Sequence, residues 1–295
     1  MESERDVLVA LRRFFQASLF PDLTDRAVQE EIRAGEEERE EPTAEERTRR
    51  GDARAAEGDI GGAMEEYRRA VRLDGLQARP HTRLGDAYAY TDNTTRAIAQ
   101  YRKAINVEPN DAEPHFCLAE LYRRFGRVKA AIREYRVATY LDKRNPYYRY
   151  RLADAYVQTG WLRDALAEMR AAIELAPDDA FYRYWTAELY LRRGEPREAL
   201  AQLERAAALA EQDDYYQIRL SALYLQLGQA EKAVRAMRNA IRIRPENGSY
   251  KRILGEIYIR LGRPDAAGVC YEFAGTLDAY DRDYIQRFAS AVGWE

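Results

Sequence analysis

The chain is 295 residues long, 46% hydrophobic and 33% charged, with 47 basic and 50 acidic residues and a net charge of −3. That balance is too apolar for a disordered chain, and no apolar stretch approaches the roughly 20 residues that cross a bilayer, so no membrane span is expected. Near-neutral charge gives no reason to expect nucleic-acid binding.

The N-terminus, MESERDVLVALRRFFQ, places acids where a secretory leader carries a basic segment, which predicts a cytoplasmic protein. Cys117 and Cys270, far apart in sequence, imply no disulfide framework and fit a reducing compartment. Arginine outnumbers lysine, as in proteins of GC-rich bacterial genomes. Residues 1–43 open with a one-sided helical stripe of Val7, Leu8, Leu11, Phe14, Phe15 and Leu19, broken at Pro21. An acidic run, GEEEREEP at 35–42, reads as a solvated linker. The stripe needs cover, because each buried Phe is worth about 1.5–3 kcal/mol. The expectation is an amphipathic arm through which copies of the chain self-associate.

From Ala44 the sequence repeats every 34 residues, and seven such segments fill 44–281 without insertion. The twentieth and twenty-seventh positions are alanine in every segment, from Ala63 and Ala70 to Ala267 and Ala274. Between them stand Tyr67, Tyr101, Tyr135, Met169, Leu203, Met237 and Tyr271. Small-large-small at spacings of four and three is one face of a helix. The eighth position is small throughout, from Gly51 to Gly255, and glycine recurs at the fifteenth from Gly126 to Gly262, where a helix can end with φ > 0. Each unit reads as helix, turn, helix, turn. In the first, Thr43 and Glu46 predict a capping box, while Arg47, Arg50 and Arg54 replace apolar residues and mark an exposed edge. Residues 282–295 read as a capping helix with Ile285, Phe288, Ala289 and Val292 inward.

This pattern resembles the tetratricopeptide repeat family over about four-fifths of the chain. The resemblance implies an all-α, right-handed superhelical solenoid whose first helices line a concave groove. It also implies a protein–protein interaction scaffold or adaptor. In the family, positions two, five and nine of the first helix face that groove. Here they supply Phe116, Tyr147, Tyr150, Phe181, Tyr184 and Tyr215, with Glu120, Asp154 and Glu188 beside them. The groove is therefore expected to hold a peptide or partner protein carrying basic and apolar residues. Members that clamp a C-terminal carboxylate use lysine, arginine and asparagine, which this groove largely lacks. Within each helix, Glu120–Arg124, Glu188–Arg192 and Glu256–Arg260 are spaced to pair, as are Arg83–Asp86 and Arg151–Asp154.

No catalytic constellation appears: there is no glycine-rich phosphate loop, no GxSxG and no pair of CxxC motifs. His81 and His115 occupy equivalent positions and read as packed core residues rather than metal ligands. No enzyme, cofactor or metal is expected. RNA reading by helical repeats is disfavoured, since acids in the groove repel phosphate.

Overall fold

The computed structural model describes residues 42–275 and 279–294. The arm residues Val7, Leu8, Leu11, Phe14, Phe15 and Leu19 lie outside the described residues, as does all but the end of the acidic linker. Among the described residues every regular element is a helix, and the fold class is an all-α repeat solenoid. The described residues divide into two compact units, one up to residue 87 and one from residue 88.

In the first unit, α1 (Ala44–Ala56) and α2 (Ile60–Leu73) form a hairpin, and α3 (Ala78–Tyr90) runs on past its boundary. The capping box forms: the Thr43 hydroxyl accepts from the Glu46 amide, and the Glu46 carboxylate accepts from the Thr43 amide at 2.9 Å. Ala63 and Ala70 are fully buried beside Tyr67. A Cβ at Gly51 would stand 2.4 Å from the Tyr67 ring, so this helix pair closes around the absence of a side chain. Arg50 and Arg54 are exposed. Arg47 instead folds back 3.0 Å from Glu66, a carboxylate with 6% of its side chain exposed.

The second unit holds α4 (Thr94–Val107), α5 (Ala112–Arg124), α6 (Val128–Leu141), α7 (Pro146–Gln158), α8 (Leu162–Leu175), α9 (Ala180–Arg192) and α10 (Pro196–Leu209). It continues with α11 (Asp214–Gln226), α12 (Ala230–Ile243), α13 (Gly248–Arg260), α14 (Pro264–Glu272) and α15 (Ala279–Ala291). From α5 to α14 helices pack in consecutive pairs, and from α6 to α12 each second helix also touches the next first helix; α15 packs against α13. The alanine rule has a direct cause. Ala131, Ala165, Ala199, Ala233 and their partners Ala138, Ala172, Ala206 and Ala240 have no exposed surface, and Tyr135, Met169, Leu203 and Met237 fill the space between them. Nothing larger than a methyl group fits at the close approach.

Hairpin turns close on left-handed residues. At Gly126, with φ 68°, the Arg127 amide donates back to the Tyr122 carbonyl at 2.8 Å, a Schellman closure that recurs 34 residues on at Gly160. In the first turn of this unit Asp92 takes that conformation without being glycine, at φ 57°. First helices open on short polar caps: Asp111, Asn145, Asp179, Asp213 and Asn247 each accept a backbone N–H with the side chain. The final hairpin departs from the rule. Helix α14 has nine residues where the other second helices have fourteen, and Gly275, at φ 71°, follows its end. Ala274 therefore lies beyond the helix. In α15 Phe288 is buried, and Trp294 packs edge-on against it at 5.8 Å beneath the Arg260 guanidinium.

Candidate functional site

Helices α5, α7, α9 and α11 lie successively in the second unit, and their first turns carry its aromatic residues. Asn145, Asp179 and Asp213 cap the last three, and each cap accepts from the amide of a residue expected in the groove: Tyr147, Phe181 or Tyr215. Capping thus fixes where those rings leave the helix. They form an outer row, with 47%, 38% and 46% of their surface exposed. Phe116, Tyr150 and Tyr184, three residues further along in register, form a half-buried inner row.

The two rows interlock. Phe116 lies 5.7 Å from Tyr147 and stacks on Tyr148 at 4.5 Å. Tyr150 meets Phe181 edge-on at 4.8 Å and Trp185 at 5.5 Å. Tyr184 meets Tyr215 at 5.3 Å, and their hydroxyls are 2.7 Å apart. All six predicted aromatic residues thus belong to one continuous wall across four helices. Burial raises the Tyr148 hydroxyl to about 12, and burial with the Tyr215 hydrogen bond raises Tyr184 further. These rings stay neutral at any physiological pH and act as apolar surfaces with polar tips.

The acids beside the wall are mostly engaged by the protein itself. Glu120 accepts from Arg151 Nε at 2.6 Å and Nη2 at 2.5 Å, from Arg123 at 3.2 Å, and from the Tyr135 hydroxyl. Burial pushes its carboxyl upward, but hydrogen bonds from Arg151 and Tyr135, with the charges of Arg151 and Arg123, outweigh that and hold it below the usual carboxylate range. Glu188 pairs with Arg219. Asp154 accepts from Gln158 at 3.2 Å.

The pairing differs from the intrahelical pattern in the sequence. Arg124 sits 2.6 Å from Asp92 rather than on Glu120, and Glu256 pairs backward with Arg252 at 3.3 Å. Arg83 reaches Asp86 at 3.2 Å as spaced, whereas Arg151 leaves Asp154 for Glu120. The cause is stacking. A residue 31 positions on, in the next first helix, faces the acid across a half-buried crevice, while an i,i+4 partner must lie along the solvent side. A planar guanidinium that bridges two helices there gains two bonds in one fixed geometry. Sequence reasoning passed over Trp185, Tyr148 and Arg219, and assigned Arg151 to Asp154. A signal was present in register, as Arg151, Trp185 and Arg219 stand at the sixth position of successive units.

His115 Nδ1 lies 2.8 Å from Glu134 Oε2, and His81 Nε2 lies 3.3 Å from the Gly75 carbonyl. Among the described residues no three His, Cys, Asp or Glu side chains gather in a metal-sized cluster, and no helix is long and apolar enough to cross a membrane.

Two sequence models fit this arrangement. One, a TPR repeat, matches residues 85–126, and the other, a tetratricopeptide repeat, matches 150–214 and 219–281. The chain belongs to the tetratricopeptide repeat family. Repeats of this family mediate protein–protein interaction, and its members are typically non-enzymatic scaffolds. A tetratricopeptide repeat protein from Parabacteroides merdae is 17% identical and superposes with a TM-score of 0.56, over 85% of this chain and 98% of its own. YrrB, a TPR protein with an unusual peptide-binding site, is 19% identical with a TM-score of 0.52, over 67% and 97%. The pilF protein of Pseudomonas aeruginosa is 19% identical with a TM-score of 0.52, over 71% and 96%. At these identities the likeness shows the fold alone. No curated protein matches the sequence.

Proposed function

We propose that the second unit captures a peptide segment of a partner protein along the aromatic wall of α5, α7, α9 and α11. The observation that carries this reading is the exposed outer row of Tyr147, Phe181 and Tyr215, backed by half-buried rings. A contiguous strip of exposed aromatic surface is costly in water and gains most when a partner dries it. Rigid rings with few rotatable bonds lose little entropy on binding. YrrB offers a precedent within the same fold for a TPR protein with a peptide-binding site. The binding needs no cofactor, and the protein acts as a scaffold rather than an enzyme.

Screening the full chain against a peptide array tests the reading. Peptides with an aliphatic or aromatic anchor beside a basic residue are expected to bind. Tyr150→Ala and Tyr184→Ala should each weaken them mainly by faster dissociation, since changes within one interface act on the off-rate. An array that returns only acidic or C-terminal-carboxylate ligands defeats the proposal.

A further inference from the structure

Glu120, Asp154 and Glu188 occupy equivalent places on α5, α7 and α9, 34 residues apart. The outer two are closed by the protein. Glu120 holds the Arg151 guanidinium with two bonds and accepts the Tyr135 hydroxyl from the second helix of its hairpin. Glu188 holds Arg219. Both arginines also lie against the wall: Arg151 is 6.0 Å from the Tyr147 and Tyr150 rings, and Arg219 is 5.9 Å from Tyr184. An acid, a tyrosine face and an arginine thus make one structural unit, and it occurs twice.

Between those two, the unit lacks its arginine. The residue 31 positions after Asp154 is Trp185, and the residue 15 positions after it is Met169 in place of tyrosine. Met169 has no donor, and the Trp185 indole carries one uncharged N–H where Arg151 offers a cationic fork. Among the described residues Gln158, at 3.2 Å, is the hydrogen-bond donor to Asp154. Asp154 is only half-buried, and Trp185 sits in the wall at 5.5 Å from Tyr150 and 5.9 Å from Tyr184. Among the described residues the middle of the wall therefore offers a carboxylate with no ion-pair partner, and the register position that holds the arginine in the neighbouring units is filled by the ring type that attracts cations best.

Building on the peptide-capture reading, we propose that Asp154 is the charge-selecting position of the groove, where the partner inserts an arginine side chain. The ligand guanidinium pairs with the Asp154 carboxylate and lies against the Trp185 and Tyr150 rings, in the way Arg151 and Arg219 serve the neighbouring acids. Arginine suits the place better than lysine, because a planar guanidinium can pair through its edge and stack through its face at once. Glu120 and Glu188, already neutralised, contribute little to ligand charge preference.

The probes are dye-labelled nonapeptide pools with degenerate flanks and a central arginine, lysine, citrulline or glutamate. Their affinities for the full chain are read by fluorescence anisotropy. The arginine pool should bind roughly ten-fold more tightly than the citrulline pool, the ratio that about 1.4 kcal/mol gives. Asp154→Asn should erase that ratio by weakening the arginine pool. Asp164→Asn, an equal charge change at an exposed position of α8, should preserve it. An arginine-to-citrulline ratio that survives Asp154→Asn overturns the proposal. So does a lysine pool that matches the arginine pool. Equal binding of the arginine and citrulline pools overturns it too, and if Tyr184→Ala still weakens both, the peptide-capture reading stands without it. Failure of every pool to bind, with Tyr184→Ala silent, overturns both.

Discussion

The second helices and the first helices of this array obey different rules. On the second helices, alanine, a large residue and alanine recur with no exposed surface at the alanines from Ala131 to Ala240. On the first helices the sixth position changes from Arg151 to Trp185 to Arg219, and the ninth runs from Glu120 through Asp154 and Glu188 to Ala222. The difference separates two tasks. Helix-to-helix contact must be identical in every repeat for the stack to propagate, since each repeat depends on its neighbours. The face turned away from that contact is free to differ, and its differences are where the proposed recognition would reside.

The sharpest break of the invariant side is Ala165→Leu. The methyl group has no exposed surface and no room behind it, so overpacking should cost about 1–3 kcal/mol. Hydrogen exchange should show the loss concentrated in α7 to α10 rather than spread evenly over the second unit. On the variable side the expected effects are smaller and unequal. Glu120→Gln keeps one acceptor oxygen for Arg151 Nε and Tyr135 but loses the charge and the second acceptor, and should cost at least about 1 kcal/mol in urea unfolding at neutral pH. Because the folded carboxyl lies below its unfolded value of about 4.3, its contribution is present above that pH and lost as pH falls through the folded value. The difference between wild type and Glu120→Gln should therefore vanish in acid. Asp154→Asn should change stability by less than about 0.5 kcal/mol, as for a surface substitution away from a network. A large destabilisation at Asp154 would erase the contrast between the two acids.

The period, the helix pairs and the aromatic residues of the wall were legible in the sequence because each follows from spacing along one chain segment. Tyr147, Phe181 and Tyr215 share a register position, and a fixed register puts equivalent residues on one side. Partner choice was not legible. Intrahelical spacing favoured Arg124 for Glu120, yet Arg151 takes it from the next helix, because the offset between stacked helices is a tertiary quantity. The short α14 was hidden for a similar reason. Its alanine pattern continues to Ala274, but the Gly275 turn ends the helix before the pattern does. Trp294 packs against Phe288 and Arg260, and Arg260 is a residue that only folding brings to it.

Trp185 also gives the molecule an optical handle. An indole's emission depends on the polarity and charge around it, and this one stands among Tyr150, Phe181 and Tyr184. The other two tryptophans lie elsewhere: Trp161 is half-exposed at the turn before α8, and Trp294 lies at the end of the described chain. Replacing both with phenylalanine leaves a single fluorophore inside the aromatic wall. Whatever displaces water from that wall changes the colour and intensity of its light, so occupancy becomes visible without any label on the ligand.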